Sequence, residues 1–222
     1  MKAVIFDLDG TLADTSGDLL EAANVCFREM GHGDVLDPGR DAGVALRGGR
    51  MMLTVGLKRL GLFDPQVVDA YYPMLLSAYG TAIAVHTKLY PGAIDAVEGL
   101  KSAGYAVGIC TNKPEGLADQ LLKELGVRDV FGALVGADTL TVRKPDPLPL
   151  IETAKRLGCD PVQCLLVGDS DTDRNTAKAA GIPSILVTFG PSGEDMAALN
   201  PEALMQDYSE LRELTEALIG SV

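Results

Sequence analysis

The sequence predicts an α/β protein: a doubly wound parallel sheet with an all-helical domain inserted into it. Three observations predict this. Short continuous apolar runs recur at Ala3–Phe6, Tyr105–Cys110 and Gln163–Val167, each the length of a strand buried on both faces. From Tyr90 onward such runs alternate with segments of helical period, the pattern of a parallel sheet covered on both sides. Between the first run and that alternation, residues from about 15 to 82 show helical spacing and no strand signal.

The elements follow in order. Ala3–Phe6 runs into Asp7-Leu8-Asp9-Gly10-Thr11, and buried carboxylates are costly unless paired or bound to a cation. Asp14-Thr15-Ser16 offers N-caps for a helix through Leu19, Leu20, Ala23, Phe27 and Met30, ended by Gly31. A polar stretch, Gly33 to Arg40, precedes Val44-Ala45-Leu46, a turn-like Arg47-Gly48-Gly49-Arg50, and a helix through Leu53 and Leu57 to Gly61. Asp64-Pro65 opens a further helix through Val68, Leu75 and Tyr79, which Pro73 is expected to kink. The alternating half then reads helix Ala93–Leu100, strand Tyr105–Cys110, helix Pro114–Leu125, strand Ala133–Val135 and helix Pro147–Leu157. It continues with strand Gln163–Val167, helix Thr172–Ala180, strand Ser184–Thr188, strand Ala203–Met205 and a last amphipathic helix, Leu211–Ile219. The expected domains are 1–14 with 87–222 for the α/β core and 15–86 for the helical insert.

Composition narrows the function. The chain has 222 residues, 47% of them hydrophobic, which suffices for a sizeable core. The net charge of −12 argues against binding to nucleic acid or an anionic membrane surface. Cys26, Cys110, Cys159 and Cys164 follow no metal spacing and read as reduced, buried thiols, an expectation that goes with a cytoplasmic setting. No apolar run reaches the ~18 residues of a membrane span.

The chemistry is concentrated at strand ends. Asp7-Leu8-Asp9-Gly10-Thr11, Thr111-Asn112-Lys113 and Gly168-Asp169-Ser170-Asp171-Thr172-Asp173 each close a buried strand, and Arg143-Lys144-Pro145-Asp146-Pro147 opens a helix. In a doubly wound sheet all carboxyl ends share one edge, so the four clusters can converge. Asp7 and Asp169 from neighbouring strands suit Mg²⁺, and Lys144 compensates further charge. Thr111 and Asn112 offer donors for phosphate oxygens, and the turn through Leu8, Asp9 and Gly10 offers backbone N–H groups for an anion. A cation, a lysine and such a nest are what phosphoryl transfer needs. Singly, each cluster has an ordinary reading as a turn, an N-cap, a solvated lysine or helix-start acids. Their occurrence together and in order does not.

On Asp7–Thr11, Thr111, Lys144-Pro145 and Gly168–Asp173, the chain resembles the haloacid dehalogenase superfamily over nearly its whole length. The runs Arg143–Pro149, Ala177–Gly181 and Val187–Gly190 look like its phosphoglycolate phosphatase branch. The resemblance implies a Rossmann-like core with a helical cap and a small phosphorylated metabolite as substrate. It implies Asp7 as nucleophile, forming an aspartyl-phosphate, and Asp9 as general acid and then base. Mg²⁺ would sit on the Asp7 side chain, the Asp9 carbonyl and the Asp169 side chain, with Asp173 and Ser170 behind them. Thr111, Lys144, Asn112 and Gly10 would bind the phosphoryl group. Asp9 would start protonated, its side chain turned away from the metal.

The cap turn Arg47, Gly48, Gly49 and Arg50 would set specificity, its arginines facing a substrate carboxylate. The crossings near Ala13–Ser16 and Ala82–Leu89 would be hinges, and His86 reads as a solvent-facing side chain. Dehalogenases and phosphonatases lack the second aspartate, so Asp9 argues against both. A β-phosphoglucomutase-like mutase is the alternative, though that branch usually has Val at the position of Thr11. A non-catalytic binding protein on the same fold is the other. A monomer or weak homodimer is expected.

Overall fold

The computed structural model describes residues 1–190 and 195–222. The chain forms two compact units, Met1–Ala13 with Leu89–Val222, and Asp14–Lys88.

The first unit is built on a six-stranded parallel sheet. Its strands are β1 (Ala3–Phe6), β4 (Ala106–Cys110), β5 (Ala133–Val135), β6 (Cys164–Gly168), β7 (Ser184–Val187) and β8 (Ala203–Met205), after two-residue strands β2 (Ala13–Asp14) and β3 (Lys88–Leu89) at the crossings. The order is β5-β4-β1-β6-β7-β8, so β1 lies between β4 and β6 at the point where the winding reverses. Phe6 pairs with Ile109 on one side and Val167 on the other, which brings the residues just beyond all three strands to one edge. Ala3, Val4, Ile5 and Phe6 are wholly buried. At roughly 1.5–3 kcal/mol for each large apolar side chain, the burial of Val4, Ile5 and Phe6 fixes the strand and with it the position of Asp7.

The helices of this unit are α5 (Ala93–Ser102), α6 (Glu115–Glu124), α7 (Leu148–Arg156), α8 (Asp171–Ala180) and α9 (Leu211–Ile219). Helices α7 and α8 pack together beside β1, β4 and β6, closing a core of Ala3, Ile5, Cys110, Leu150, Ala154, Leu166 and Ala177, while α5 packs against α9. The four cysteines are buried thiols. Among the described residues, no helix is long and apolar enough to cross a membrane.

The second unit holds α1 (Ser16–Glu29), α2 (Pro38–Ala45), α3 (Gly49–Arg59) and α4 (Pro65–Thr81). Asp64 caps α4 by accepting from Gln66 N–H at 2.8 Å, and α4 continues through Pro73 as one element. Helices α1 and α3 touch closely: a Cβ on Gly56 would lie 2.1 Å from Phe27 Cζ. Helix α2 falls where the sequence suggests a polar stretch and an apolar triplet. It contains Gly39 and Gly43, each weakening a helix by about 1 kcal/mol, so its own propensity leaves little signal.

What holds α2 is Asp41, 1% exposed, which accepts from Asp37 N–H at 2.9 Å and from both terminal nitrogens of Arg59, at 2.6 and 2.5 Å. The Arg59 hydrogen bonds hold the Asp41 carboxyl well below the usual carboxylate range, against the opposing effect of burial. Asp41→Asn leaves Arg59 without its partner and is expected to cost about 3 kcal/mol of stability at pH 7. A lowered carboxylate stabilises above its unfolded value and loses that contribution as pH falls. The gap between wild type and variant in urea melts should therefore close below pH ~4; a gap that is constant from pH 7 to 3 would contradict the assignment.

Candidate active site

The site begins where β1 ends. Asp7 N–H donates to Val167 O at 2.9 Å, continuing the ladder one step past the strand. The chain then turns sharply: Leu8 O accepts from Leu12 and Ala13 N–H at 3.0 and 3.2 Å, and Gly10 takes φ +78°, a conformation that favours glycine. Leu8 N–H donates to Asp7 Oδ1 at 2.7 Å, and Gly10 N–H donates to Ala13 O at 2.9 Å. The turn thus uses two of the N–H groups expected to face an anion. Gly10, which the resemblance places among the phosphate-binding residues, gives its N–H to the turn here.

From β6, Asp169 and Asp173 meet Asp7. One carboxylate oxygen of each lies within 4.8 Å of the others, a group able to hold a metal ion. Ser170 caps α8 by accepting from Asp173 N–H at 3.3 Å, and its Oγ donates to Asp173 Oδ2 at 2.6 Å, while Asp169 N–H donates to the same oxygen at 3.2 Å. Gly168 permits this approach, since a Cβ there would lie 2.3 Å from Asp173 Cγ. Thr11 Oγ1 donates to Asp169 Oδ1 at 3.1 Å, and Tyr208 fixes Thr11 by donating to its carbonyl at 2.7 Å.

Lys144, 2% exposed, spans two of the three carboxylates. Its Nζ lies 2.9 Å from Asp7 Oδ2 and 2.6 Å from Asp173 Oδ1. Asn112 supports it from behind, donating from Nδ2 to Lys144 O at 3.0 Å. Thr111 N–H donates to Val135 O at 3.0 Å, which seats Thr111 beyond β4, next to the Asp7 end of β1. Asp9 stands outside the three-carboxylate group and pairs with Lys113, whose Nζ lies 2.8 and 3.0 Å from its two oxygens.

The electrostatics follow from three buried carboxylates sharing one buried lysine. Burial pushes Asp7 up to about 6, against the pull of Lys144. Burial, with the charges of Asp173 and Asp7, pushes Asp169 well above the ordinary range. Burial would lower Lys144, but Asp173 and Asp7 outweigh it and raise it. The group carries more negative charge than its lysine balances. All its donors are hard carboxylate oxygens, which fits a divalent cation.

The residues expected from the sequence at strand ends, Asp7, Asp9, Thr111, Asn112, Lys144, Asp169, Ser170 and Asp173, come together in this unit. The arginine turn lies in the helical unit. Gly48, at φ +92°, precedes α3, and a Cβ on Gly49 would lie 2.9 Å from Leu75. Arg47 and Arg50 are both exposed, and Arg50 pairs with Asp69 and lies over the Tyr72 ring, 4.6 Å from its centre. His86 is exposed too, and its backbone N–H, with that of Thr87, donates to Asp18 at 2.9 and 2.8 Å. Lys113 carries no assigned role in the Thr111-Asn112-Lys113 cluster of the sequence, and neither Asp18 nor Tyr208 has a sequence signal that marks it.

Fold and site define an α/β protein with a carboxylate centre at the switch point of a doubly wound sheet, suited to a divalent cation and an anionic ligand. The chain belongs to the haloacid dehalogenase-like hydrolase family, whose model matches residues 4–187. It is 39% identical over 218 residues to a phosphoglycolate phosphatase of Rhodospirillum rubrum, spanning 95% of this chain and 89% of that protein. A solved structure from Haemophilus somnus, provisionally named a phosphoglycolate phosphatase, shares the fold with a TM-score of 0.82 at 24% identity, covering 97% of this chain and 98% of its own. One from Thermotoga maritima, provisionally named a β-phosphoglucomutase, does so at 0.75 and 25% identity, covering 98% of this chain and 100% of its own.

Proposed function

We propose that this protein is a Mg²⁺-dependent phosphomonoester hydrolase that works through an aspartyl-phosphate on Asp7, with phosphoglycolate or a similarly small phosphorylated acid as substrate. The observation that carries the reading is Asp7 itself, a carboxylate at the switch point paired with Lys144 and within 4.8 Å of Asp169 and Asp173. The 39% identity to a phosphoglycolate phosphatase supports the substrate class.

The Asp7 and Asp169 side chains and the Asp9 carbonyl would hold the cation, with Asp173 and Ser170 orienting Asp169 and Lys144. A cation bound there would supply positive charge to the phosphoryl oxygens. An Asp7 oxygen attacks phosphorus as the bond to the leaving alcohol breaks, and Asp9 gives that alcohol a proton. Water then attacks the phosphorus of the acyl phosphate while Asp9 takes its proton, freeing Asp7. Thr111 and Lys144 bind the transferred group. Lys113 pairs with Asp9, its Nζ 2.8 and 3.0 Å from the two carboxyl oxygens. The helical unit is the proposed cap. Arg47, Gly48, Gly49 and Arg50 are its proposed specificity elements.

Phosphate release should be followed for p-nitrophenyl phosphate, 2-phosphoglycolate, glycerol phosphate and β-glucose 1-phosphate. Turnover is expected with Mg²⁺, to vanish in EDTA and to return on adding Mg²⁺, with 2-phosphoglycolate giving the highest kcat/KM. Metal-independent turnover would remove the cation. Glucose 6-phosphate appearing from β-glucose 1-phosphate would make the protein a mutase.

A further inference from the structure

Each of the two aspartates in the first turn has its own lysine, and only the lysine on Asp7 belongs to the charge balance described above. Lys113 is a different device. Its side chain is 3% exposed, and its Nζ grips both oxygens of Asp9. An ammonium at that depth is costly unless its partner is fixed. Its backbone is pinned on both sides as well. Lys113 N–H donates to Thr111 Oγ1 at 3.2 Å, and Lys113 O accepts from Ala137 N–H at 2.9 Å. The side chain thus starts from a rigid point beyond β4 and crosses to the turn after β1, the neighbouring strand.

That contact has a direction. Asp7 and Asp9 are two residues apart, and a carboxylate on so short a tether can reach a cation bound at its neighbour. Asp7, Asp169 and Asp173 make up the metal-type group, and Asp9 is outside it. Lys113 supplies the force that keeps it outside, holding the Asp9 carboxylate toward β4.

We propose that Lys113 is the positioning residue for proton transfer, fixing the Asp9 carboxyl away from the cation group and toward the leaving alcohol. The proposal rests on the acid–base role of Asp9. In the step concerned, the bond from phosphorus to the leaving oxygen breaks, a bond from Asp7 to phosphorus forms, and the proton on Asp9 passes to the leaving oxygen. Lys113 is proposed to act through Asp9, which it holds at both carboxyl oxygens.

Two aryl esters differing in one nitro group separate this role from phosphate binding. A p-nitrophenolate leaves without much protonation, whereas a phenolate needs it. In saturating Mg²⁺, Lys113→Met should lower kcat/KM about 30-fold for phenyl phosphate and less than about 3-fold for p-nitrophenyl phosphate. Lys113→Arg should recover most of the loss. In an Asp9→Asn background, adding Lys113→Met should change kcat/KM by less than about 2-fold, because a residue acting only through Asp9 has nothing left to position. Thermal melts check folding, and Lys113→Gln carries the same test should Lys113→Met fail to fold. Equal losses on the two esters, or losses that multiply in the double variant, would overturn the proposal. If Asp9→Asn alone shows no leaving-group dependence, the acid role falls and the proposal with it. If Asp9→Asn shows it and Lys113→Met does not, only the proposal falls.

Discussion

Asp7→Asn is expected to reduce turnover at least ~10⁴-fold while leaving a folded protein. The amide matches the carboxylate in size and cannot form the acyl phosphate. Folding should survive because Asp7 is not what stabilises the site. Burial pushes its carboxyl up to about 6, so its ionised form is the disfavoured one, and Lys144 retains Asp173 at 2.6 Å. The sign of the pH effect follows. A carboxylate raised by folding is neutral at no cost below its unfolded value near 4, and its ionisation weakens the fold as pH rises through about 6. In metal-free buffer the melting temperature of the variant should therefore gain on that of wild type between pH 4 and 7. Residual turnover above one per cent would remove Asp7 as nucleophile. A variant that loses stability relative to wild type as pH rises would show that Lys144, not burial, governs the charge.

Lys144→Met is expected to damage both stability and activity. The lysine is buried between Asp7 and Asp173, and its removal leaves three carboxylates in one group with no cation among them. Breaking a buried pair from one side costs about 3–5 kcal/mol, because the remaining charge is stranded. Phosphoryl binding is lost as well, so kcat/KM should fall at least ~10³-fold. The two effects separate on adding Mg²⁺, which should restore part of the stability by neutralising the carboxylates and little of the rate. Urea melts with and without Mg²⁺, read beside initial rates, distinguish them. A variant as stable as wild type in EDTA would mean that Asp7 and Asp169 are already neutral in the fold and need no lysine.

The site was legible to the extent that its chemistry is local. Asp7 and Asp9 stand out because carboxylates at the end of an apolar strand have no packing reason to be there. Lys144 stands out because prolines fix the start of its helix. Lys113 carries no such mark, since one lysine after a strand looks like any solvated lysine until β1 and β4 are paired. Gly10 is legible as a turn residue, but which N–H of the turn faces out depends on the hydrogen bonds that close it. In the helical unit, α1, α3 and α4 announce themselves by apolar period. Helix α2 does not, because it is held by Asp41 reaching Arg59 in α3, a contact between residues 18 apart.

The strands, the long helices and the carboxylates at the strand ends can be read along the chain, since each depends on near neighbours. How those carboxylates are shared out depends on the fold. It gave Lys144 to Asp7 and Asp173, Lys113 to Asp9, and Thr11 to Asp169. The reason is that buried charge is governed by distance in space, and the order β4-β1-β6 sets that distance by bringing together strand ends more than a hundred residues apart.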